Sequence, residues 1–194
     1  MNEPFMFYWF SWFYVVIVYF FMDKSKLKDC LLLMSFLTIG LFDKHIVIDP
    51  YMSISLAFFV VWFAALFLYV RYNSRIYDLF VTLTMMLLYA ALLLWAKAAP
   101  IWFVIHPYVF IPVAVYFFSV LLNGHWLKQL VSTMTALSLG HVLYAAVLMQ
   151  YQLKSDIDAA FFIYLYDTIL LISIAYALTF FIRIIKKTLI RKSA

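Results

Sequence analysis

The chain has 194 residues, of which 69% are hydrophobic and only 12% are charged, and its net charge is +5. Soluble domains are about one quarter charged, so this composition excludes a soluble globular protein and indicates an integral membrane protein. The charge does not indicate a nucleic-acid partner, because the basic residues lie between long apolar runs and at the C-terminus instead of on one face. A lipid bilayer with anionic headgroups is the expected partner.

The first predicted helix covers residues 5–22 and is expected to remain in the mature protein. The opening sequence MNEPFMFYWF has no positively charged segment before its apolar stretch, and no small-residue cleavage pattern follows it, so it does not resemble a removable signal peptide. The single cysteine, Cys30, excludes an intramolecular disulfide and a thiol-rich metal site. No metal or other cofactor is predicted.

Six apolar stretches are long enough to cross a bilayer as helices, since about 20 helical residues span about 30 Å of hydrocarbon. They are residues 5–22, 52–70, 77–96, 101–122, 126–149 and 159–185. A seventh segment, residues 27–48, is marginal, because its uninterrupted apolar core ends at Phe42 and the polar triplet DKH follows. This segment crosses as a helix only if it continues to Ile48.

The distribution of lysine and arginine favours seven crossings, because cytoplasmic flanks of membrane helices collect positive charge. Seven crossings put eleven basic residues on one side and three on the other, whereas six crossings give eight and six. The eleven are Lys24, Lys26, Lys28, Arg71, Arg75, Lys128, Arg183, Lys186, Lys187, Arg191 and Lys192, and the three are Lys44, Lys97 and Lys154. The sequence therefore predicts a single all-α domain of seven transmembrane helices in the cell membrane, with the N-terminus outside and a basic cytoplasmic tail at residues 186–194.

Asp167 lies inside the last apolar stretch, where an ionised carboxylate costs roughly 2.5–3.5 kcal/mol and usually faces protein. His141, on the preceding antiparallel helix, is expected at a similar depth, so the two side chains are placed where they could touch, although the sequence does not decide whether they do. Beside His141, the small residues Ser132, Ala136 and Gly140 recur at spacing four and favour close approach of a neighbouring helix. Two interpretations stay open: a proton relay or polar-ligand site, and a hydrogen bond that fixes the register of the last two helices.

His106 precedes Pro107 and Pro112 in the fifth predicted helix. Each proline removes an amide donor, so the helix is predicted to bend and to free backbone carbonyls. Such carbonyls are tolerated where neighbours satisfy them or where they line a wet cavity. One interpretation is therefore an outward-facing pocket of His106, His141 and Asp167 with nearby tyrosines, and the other is a packed, kinked helix with an interfacial histidine. The tyrosines in question are Tyr89, Tyr144 and Tyr164.

The C-terminal sequence FIRIIKKTLIRKSA places basic residues at helical spacing. They are Arg183, Lys186, Lys187, Arg191 and Lys192. A helix that continues past the bilayer would lay them on anionic headgroups, at about 1 kcal/mol each. Contact with a protein partner in the membrane is a second interpretation, and charge that only fixes the topology is the simplest.

The sequence lacks the common catalytic and phosphate-binding motifs G-x-x-x-x-G-K-[ST], H-E-x-x-H and G-x-S-x-G. Its three glycines are too few for a phosphate-cradling loop. No catalytic residues are assigned, and an enzyme is not expected.

The aromatic start FYWFSWFYVVIVYFFMDKSK resembles the start of the YphA-type integral membrane proteins of spore-forming Bacilli. The shared motif covers residues 7–22, and the length and multi-helix hydropathy are similar across the chain. The resemblance implies a plasma-membrane protein with a link to spore envelope assembly. Three functions stay open. The first is a non-enzymatic membrane factor that acts through helix and lipid contacts, and the second is a small solute or proton-linked transporter that uses Asp167, His141 and His106. The third is a membrane sensor, which would require a cytoplasmic partner bound to the basic tail.

Overall fold

A computed structural model describes residues 3–21, 26–72, 76–102, 105–157 and 159–193 of the chain. Within these ranges the chain forms seven α-helices and three short strands. In chain order they are α1 (Glu3–Phe21), α2 (Lys26–Leu41), β1 (His45–Asp49), β2 (Met52–Ser55), α3 (Leu56–Tyr72), α4 (Ile76–Ala98), α5 (Pro107–Leu122), α6 (Trp126–Gln150), β3 (Ser155–Ile157) and α7 (Ala159–Ser193). The helical class predicted from the sequence is confirmed, with a small sheet added.

The second helix is shorter than predicted, and the prediction that it continues to Ile48 is wrong. α2 ends at Leu41, and the following residues form the β1–β2 hairpin. The β-branched run IVI favours extended backbone. A turn follows in which Asp49 Oδ1 accepts the Tyr51 amide at 3.1 Å, a local hydrogen bond typical of aspartate in turns. The sequence IVIDP thus contains the pattern of a strand followed by a turn, but its apolar residues IVI also suit a membrane helix.

The other predicted helices are present, with shifted ends. α3 begins at Leu56 instead of residue 52, because β2 precedes it. α5 begins at Pro107 instead of residue 101, after a 3₁₀ turn over Pro100–Trp102. Pro107 occupies the first helical turn, where a missing amide costs nothing, so it starts the helix instead of bending it. The residues predicted as a tail continue α7 as helix to Ser193.

The small sheet shows which connections lie at the same end of the bundle. β2 pairs antiparallel with β1 and parallel with β3. Because the β1–β2 hairpin joins α2 to α3 and β3 lies between α6 and α7, both connections meet at one end, called the sheet end below. Asp78 in the first turn of α4 pairs with Lys128 in the first turn of α6. These two helices therefore both start at the opposite end and run towards the sheet end.

α6 is the central helix and packs against α3, α4, α5 and α7. A Cβ added at Gly140 would lie 2.8 Å from the Met86 carbonyl oxygen and 2.9 Å from the Tyr89 ring. The backbones of α4 and α6 thus approach more closely there than a side chain would allow. This confirms the close approach predicted from the stripe of small residues, whose members Ser132, Ala136 and Gly140 are all buried.

An aromatic cluster attaches α1 to the rest of the bundle. Phe7, which is fully buried, stacks on Phe42 with ring centroids 3.8 Å apart and meets the edge of Phe162 at 4.9 Å. One turn further along α1, Ser11 Oγ donates to the Tyr166 hydroxyl at 3.2 Å. α1 therefore packs against both the end of α2 and the first part of α7.

Among the residues that the structure describes, three helices are long and apolar enough to cross a membrane, judged by length and composition: Ile76–Ala98, Trp126–Gln150 and Ala159–Thr179. The apolar helices Pro4–Phe20, Leu31–Leu41, Leu56–Tyr72 and Pro107–Leu122 are shorter, at 10–17 residues. Every helix nevertheless exposes large apolar side chains, for example Trp9 on α1, Phe67 on α3 and Phe117 on α5. The described helices therefore present apolar side chains to the outside of the bundle, as suits a surface in contact with lipid.

Candidate functional site: a polar cavity at the sheet end

A cavity of about 240 Å³ lies at the sheet end, between α4, α5, α6 and α7. Two lysines, three tyrosines and one histidine form its polar lining. They are Lys97, Lys154, Tyr108, Tyr144, Tyr164 and His141. Pockets for drug-sized ligands measure about 300–1,000 Å³, and an engineered cavity of about 150 Å³ holds benzene. The cavity therefore suits a ligand between these sizes, such as a small polar solute or a lipid headgroup.

The direction of the helices explains why these residues converge. α4 and α6 end at the sheet end whereas α5 and α7 begin there, so Lys97 and Tyr108 lie next to the mouth. His141 lies nine residues before the last residue of α6, which corresponds to a depth of about 14 Å along the helix. The cavity thus runs from charged residues at the helix ends to a histidine within the bundle.

His141 forms the floor of the cavity and is held by Tyr89. The Tyr89 hydroxyl lies 3.1 Å from Nδ1 of His141, and both residues are buried. We assign the donor role to this hydroxyl, because it has no other acceptor among the described residues, and with this assignment the proton of the neutral imidazole is on Nε2. Nε2 has no partner within the described part of the chain, which leaves this donor for a cavity ligand.

Tyrosine rings form one wall of the cavity, and His106 lies behind them. The Tyr108 and Tyr164 ring centroids are 5.1 Å apart, and Tyr164 also meets Tyr89 at 6.1 Å. His106 caps α5, since its Nδ1 accepts the Tyr108 amide at 3.4 Å, and its ring stacks on that of Tyr108 at 5.2 Å. His106 is exposed and does not line the cavity, so it orients a lining residue instead of meeting a ligand.

Contact between Asp167 and His141 is not made in the described part of the chain. Phe161 is the residue of α7 that meets the His141 ring, at 5.4 Å. Asp167 lies six residues further along, which turns it by about 120° away from that face of the helix. Asp167 is partly buried, and it follows the cavity-lining Tyr164 by three residues, so it is the neighbour of Tyr164 one turn deeper.

The basic residues predicted to meet headgroups or a partner belong to the last turns of α7. They are Arg183, Lys186, Lys187, Arg191 and Lys192. Their helical backbone is described, but the prediction about their contacts lies outside the described side chains.

Sequence reasoning missed Lys97, Lys154 and Tyr108 as site residues. The two lysines do carry a signal, because they are two of only three basic residues that the charge distribution places on the minority side. Their convergence on one cavity depends on the order of helices around the bundle, which one sequence does not encode in a readable pattern. Among the described residues, no group of three or more His, Cys, Asp or Glu is placed to hold a metal ion.

A second polar cluster, also missed, joins α4, α5 and α6 at the opposite end. The buried Asp78 accepts a hydrogen bond from Lys128 Nζ at 2.7 Å. Next to this pair, Asn123 Nδ2 donates to Ser132 Oγ at 3.1 Å. One turn before Asn123, the buried Ser119 hydroxyl accepts a hydrogen bond from Thr133 Oγ1 at 3.1 Å. These groups satisfy one another, so the cluster holds helices together and offers no open site.

The apolar exterior, the buried polar pairs and the polar cavity at one end define an integral membrane protein built as a helical bundle. The chain belongs to the YphA-like integral membrane proteins, since the model of that family matches residues 3–194. The match confirms the resemblance found in the aromatic start and extends it over nearly the whole chain. No curated protein and no solved structure matches the chain.

Proposed function

We propose that the protein is a non-enzymatic, multi-pass protein of the cell membrane that acts through helix and lipid contacts. The observation that carries the proposal is the sorting of side chains. Large apolar residues cover the outside of all seven described helices, whereas polar groups such as Asp78, Lys128 and His141 pair inside the bundle. This sorting is the inverse of a soluble protein and suits a chain with lipid around it.

The proposal includes seven crossings. α4, α6 and most of α7 have sufficient length. α1, α3 and α5 have 19, 17 and 16 residues, or about 24–28 Å of helix, and pack against these longer helices. α2 is shorter, and its hairpin extends the connection to α3. A bilayer accommodates such short segments by local thinning at a modest cost.

The proposed orientation puts the sheet end outside, because most of the lysines and arginines lie towards the opposite end. Two exposed positions test it in a Cys30→Ser background. Val47→Cys lies in β1 at the sheet end, and Gly124→Cys lies in the α5–α6 connection, where an added Cβ meets nothing within 4 Å. We expect a membrane-impermeant maleimide to label Val47→Cys in intact cells and Gly124→Cys only after permeabilisation. Equal labelling of both positions in intact cells would contradict the orientation.

A role in spore envelope assembly rests on the family resemblance. We expect deletion of the gene in a spore-forming host to leave vegetative growth unchanged and to reduce the resistance of spores to lysozyme. Restoration by the full chain is the control. Normal spores, together with expression confined to vegetative growth, would exclude this role without affecting the proposal about lipid contacts.

The cavity favours a second candidate function, a small solute or proton-linked transporter. His141 forms its floor, and Asp167 lies one turn deeper beside Tyr164, so titratable groups continue from the cavity into the bundle. In proteoliposomes, Asp167→Asn should abolish a proton-coupled flux, whereas Asp29→Asn, at an exposed position near the start of α2, should not. Flux that survives Asp167→Asn, or no flux in the unmodified protein, rejects this candidate.

A further inference from the structure

We propose that the sheet-end cavity binds a phosphate group, carried either by a phospholipid headgroup or by a small phosphorylated solute. The donors around the cavity motivate the choice. Lys97 and Lys154 contribute two ammonium groups, and Tyr144 contributes a hydroxyl that has no hydrogen-bond partner among the described residues. No acidic side chain is present among the described residues that line the cavity. A phosphate presents several acceptor oxygens and negative charge, which this set of donors complements.

The floor of the cavity adds a buried donor. His141 is only 3% exposed, and the hydrogen bond from Tyr89 to Nδ1 leaves the Nε2 proton for the cavity. An acceptor atom of a ligand would pair with this donor, which has no hydrogen-bond partner in the described part of the chain. With Tyr89 assigned as the donor to Nδ1, the imidazole can donate its Nε2 proton to an anion in the cavity.

The surroundings strengthen attraction for an anion. Tyr108 and Ala160 are the second residues of α5 and α7, so the positive ends of two helix dipoles lie beside the lining lysines. Since half of the lining comes from residues within the bundle, the effective dielectric constant is lower than in water and each charge acts more strongly. Lys97 forms no ion pair within the described part of the chain, so its charge is available to a ligand.

The position of the mouth admits both sources of phosphate. The mouth lies where α4 and α6 end and α5 and α7 begin, which is headgroup depth if the bundle spans the bilayer. The lipid source therefore rests on the proposed membrane arrangement, whereas a soluble source does not. Binding is measured in detergent and does not depend on how many helices cross the membrane. A failure of this inference is therefore distinguishable from a failure of the seven-span proposal.

Isothermal titration of the purified full chain in a non-ionic detergent tests the proposal with three probes. They are dihexanoyl phosphatidylglycerol, sn-glycerol 3-phosphate and dihexanoylglycerol, which lacks phosphate. We expect at least one phosphate probe to bind and dihexanoylglycerol not to bind. Binding of phosphatidylglycerol alone identifies a lipid source, and binding of glycerol phosphate, alone or with the lipid, identifies a site that accepts the soluble group.

Variants then locate the binding site. Lys97→Gln and Lys154→Gln should each weaken phosphate binding about ten-fold or more, since each removes a charge-assisted contact. Lys44→Gln, which removes an exposed lysine at the same end outside the cavity, is the matched control and should bind as the unmodified protein does. Tyr144→Phe keeps the ring and should weaken binding about three- to ten-fold. This mild change keeps the test decisive if a lysine variant does not fold.

The proposal is overturned if neither phosphate probe binds, if dihexanoylglycerol binds as tightly as phosphatidylglycerol, or if the folded cavity variants keep full affinity. Thermal unfolding of each variant in the same detergent establishes that it is folded. Equal loss of affinity in Lys44→Gln and Lys97→Gln also overturns it, since that result indicates attraction to surface charge instead of a cavity site.

Discussion

Gly140 is the residue on which the close packing of α4 against α6 depends. We predict that Gly140→Ala destabilises the protein by about 1–3 kcal/mol, because the new methyl group would meet the Met86 backbone carbonyl, which cannot move without shifting α4. The measurement is thermal or denaturant unfolding in detergent.

The chain provides a matched control for this prediction. Gly40 lies in α2, and an added Cβ there meets nothing within 4 Å. Gly40→Ala should be neutral or stabilising by up to about 1 kcal/mol, because alanine is the better helix former. If Gly140→Ala proved as stable as Gly40→Ala, the close approach of the two helices at this point would be disproved.

Gly140 and His141 could be chosen from the sequence, and Tyr89 was predicted to lie near His141, but the specific contacts of these residues could not be predicted. The spacing of the small residues indicated close approach, and the helix count placed His141 and Asp167 at similar depth. Similar depth does not fix the angle around the helix axis, however, and about 120° separates Asp167 from the face that meets His141. Tyr89 became the partner because α4 is the neighbour of α6, although the two helices are not consecutive in the chain.

The Asp78–Lys128 pair links α4 and α6 at the end away from the sheet. We predict that Lys128→Met, which removes the 2.7 Å contact to a buried carboxylate, lowers the free energy of unfolding by about 2 kcal/mol. Lys128 is partly exposed, so solvent screening keeps the cost below that of a fully buried pair.

A double-mutant cycle separates the pair from its surroundings. Asp78→Asn combined with Lys128→Met should cost less than the sum of the two single changes, because the second change has no charged partner left to disturb. Strict additivity in unfolding measurements would show that the two side chains do not stabilise each other.

The parallel pairing of β2 with β3 connects segments about one hundred residues apart in the chain. Ile54 and Ile157 are directly opposed in this register, so their Cα atoms are about 4.8 Å apart. In a Cys30→Ser background, Ile54→Cys with Ile157→Cys should form a disulfide on mild oxidation, because Cα atoms 4.4–6.8 Å apart can be bridged. Because both positions are buried, the bond is read as loss of reactivity with a maleimide–polyethylene glycol reagent after denaturation in SDS.

A shifted pair tests the register itself. Ile54→Cys with Ser155→Cys moves one cysteine by two residues, which separates the Cα atoms by about 8 Å, beyond the reach of a disulfide. Both thiols should then stay reactive. Oxidation of the shifted pair in preference to the opposed pair would refute the register of β2 and β3.

The helices could be predicted from apolar length, whereas the sheet could not. The length criterion found the segments that became α1 and α3–α7, because crossing hydrocarbon requires long apolar runs. It failed at α2, where IVIDP is apolar enough for a helix but β-branched enough for a strand. β3 has only three residues and pairs with a distant hairpin, so no local pattern indicated it.

Successive helices of the bundle run in opposite directions, and the sixth helix lies at the centre. The alternation places the ends of α4 and α6 beside the starts of α5 and α7, and the cavity lies where these four meet. The minority of basic residues that the charge distribution assigns to the outside includes Lys97 and Lys154. Two of the three basic residues on the predicted minority side therefore line the cavity, which a count of charges alone could not indicate.

α7 is longer than the bundle requires, and its excess gives a prediction about the lipid surface. The helix has 35 residues and is about 52 Å long. Tyr176 stacks on Trp126, the first residue of α6, with ring centroids 4.6 Å apart. The remaining residues to Ser193 therefore continue beyond the level at which α6 begins, for about 26 Å. This helical extension carries five of the basic residues of the chain.

We predict that anionic lipid holds this extension at the surface, at about 1 kcal/mol for each basic residue. A spin label on Ser193→Cys, in a Cys30→Ser background, should be less mobile in vesicles with about 30% phosphatidylglycerol than in vesicles of pure phosphatidylcholine. Replacement of the five basic residues by glutamine should remove the difference. The five are Arg183, Lys186, Lys187, Arg191 and Lys192.

A label on Gly124→Cys, in a connection outside the extension, is the control and should not respond to the replacement. Mobility that is the same in both kinds of vesicle would show that the basic residues do not bind the lipid surface, and would leave a protein partner as their ligand.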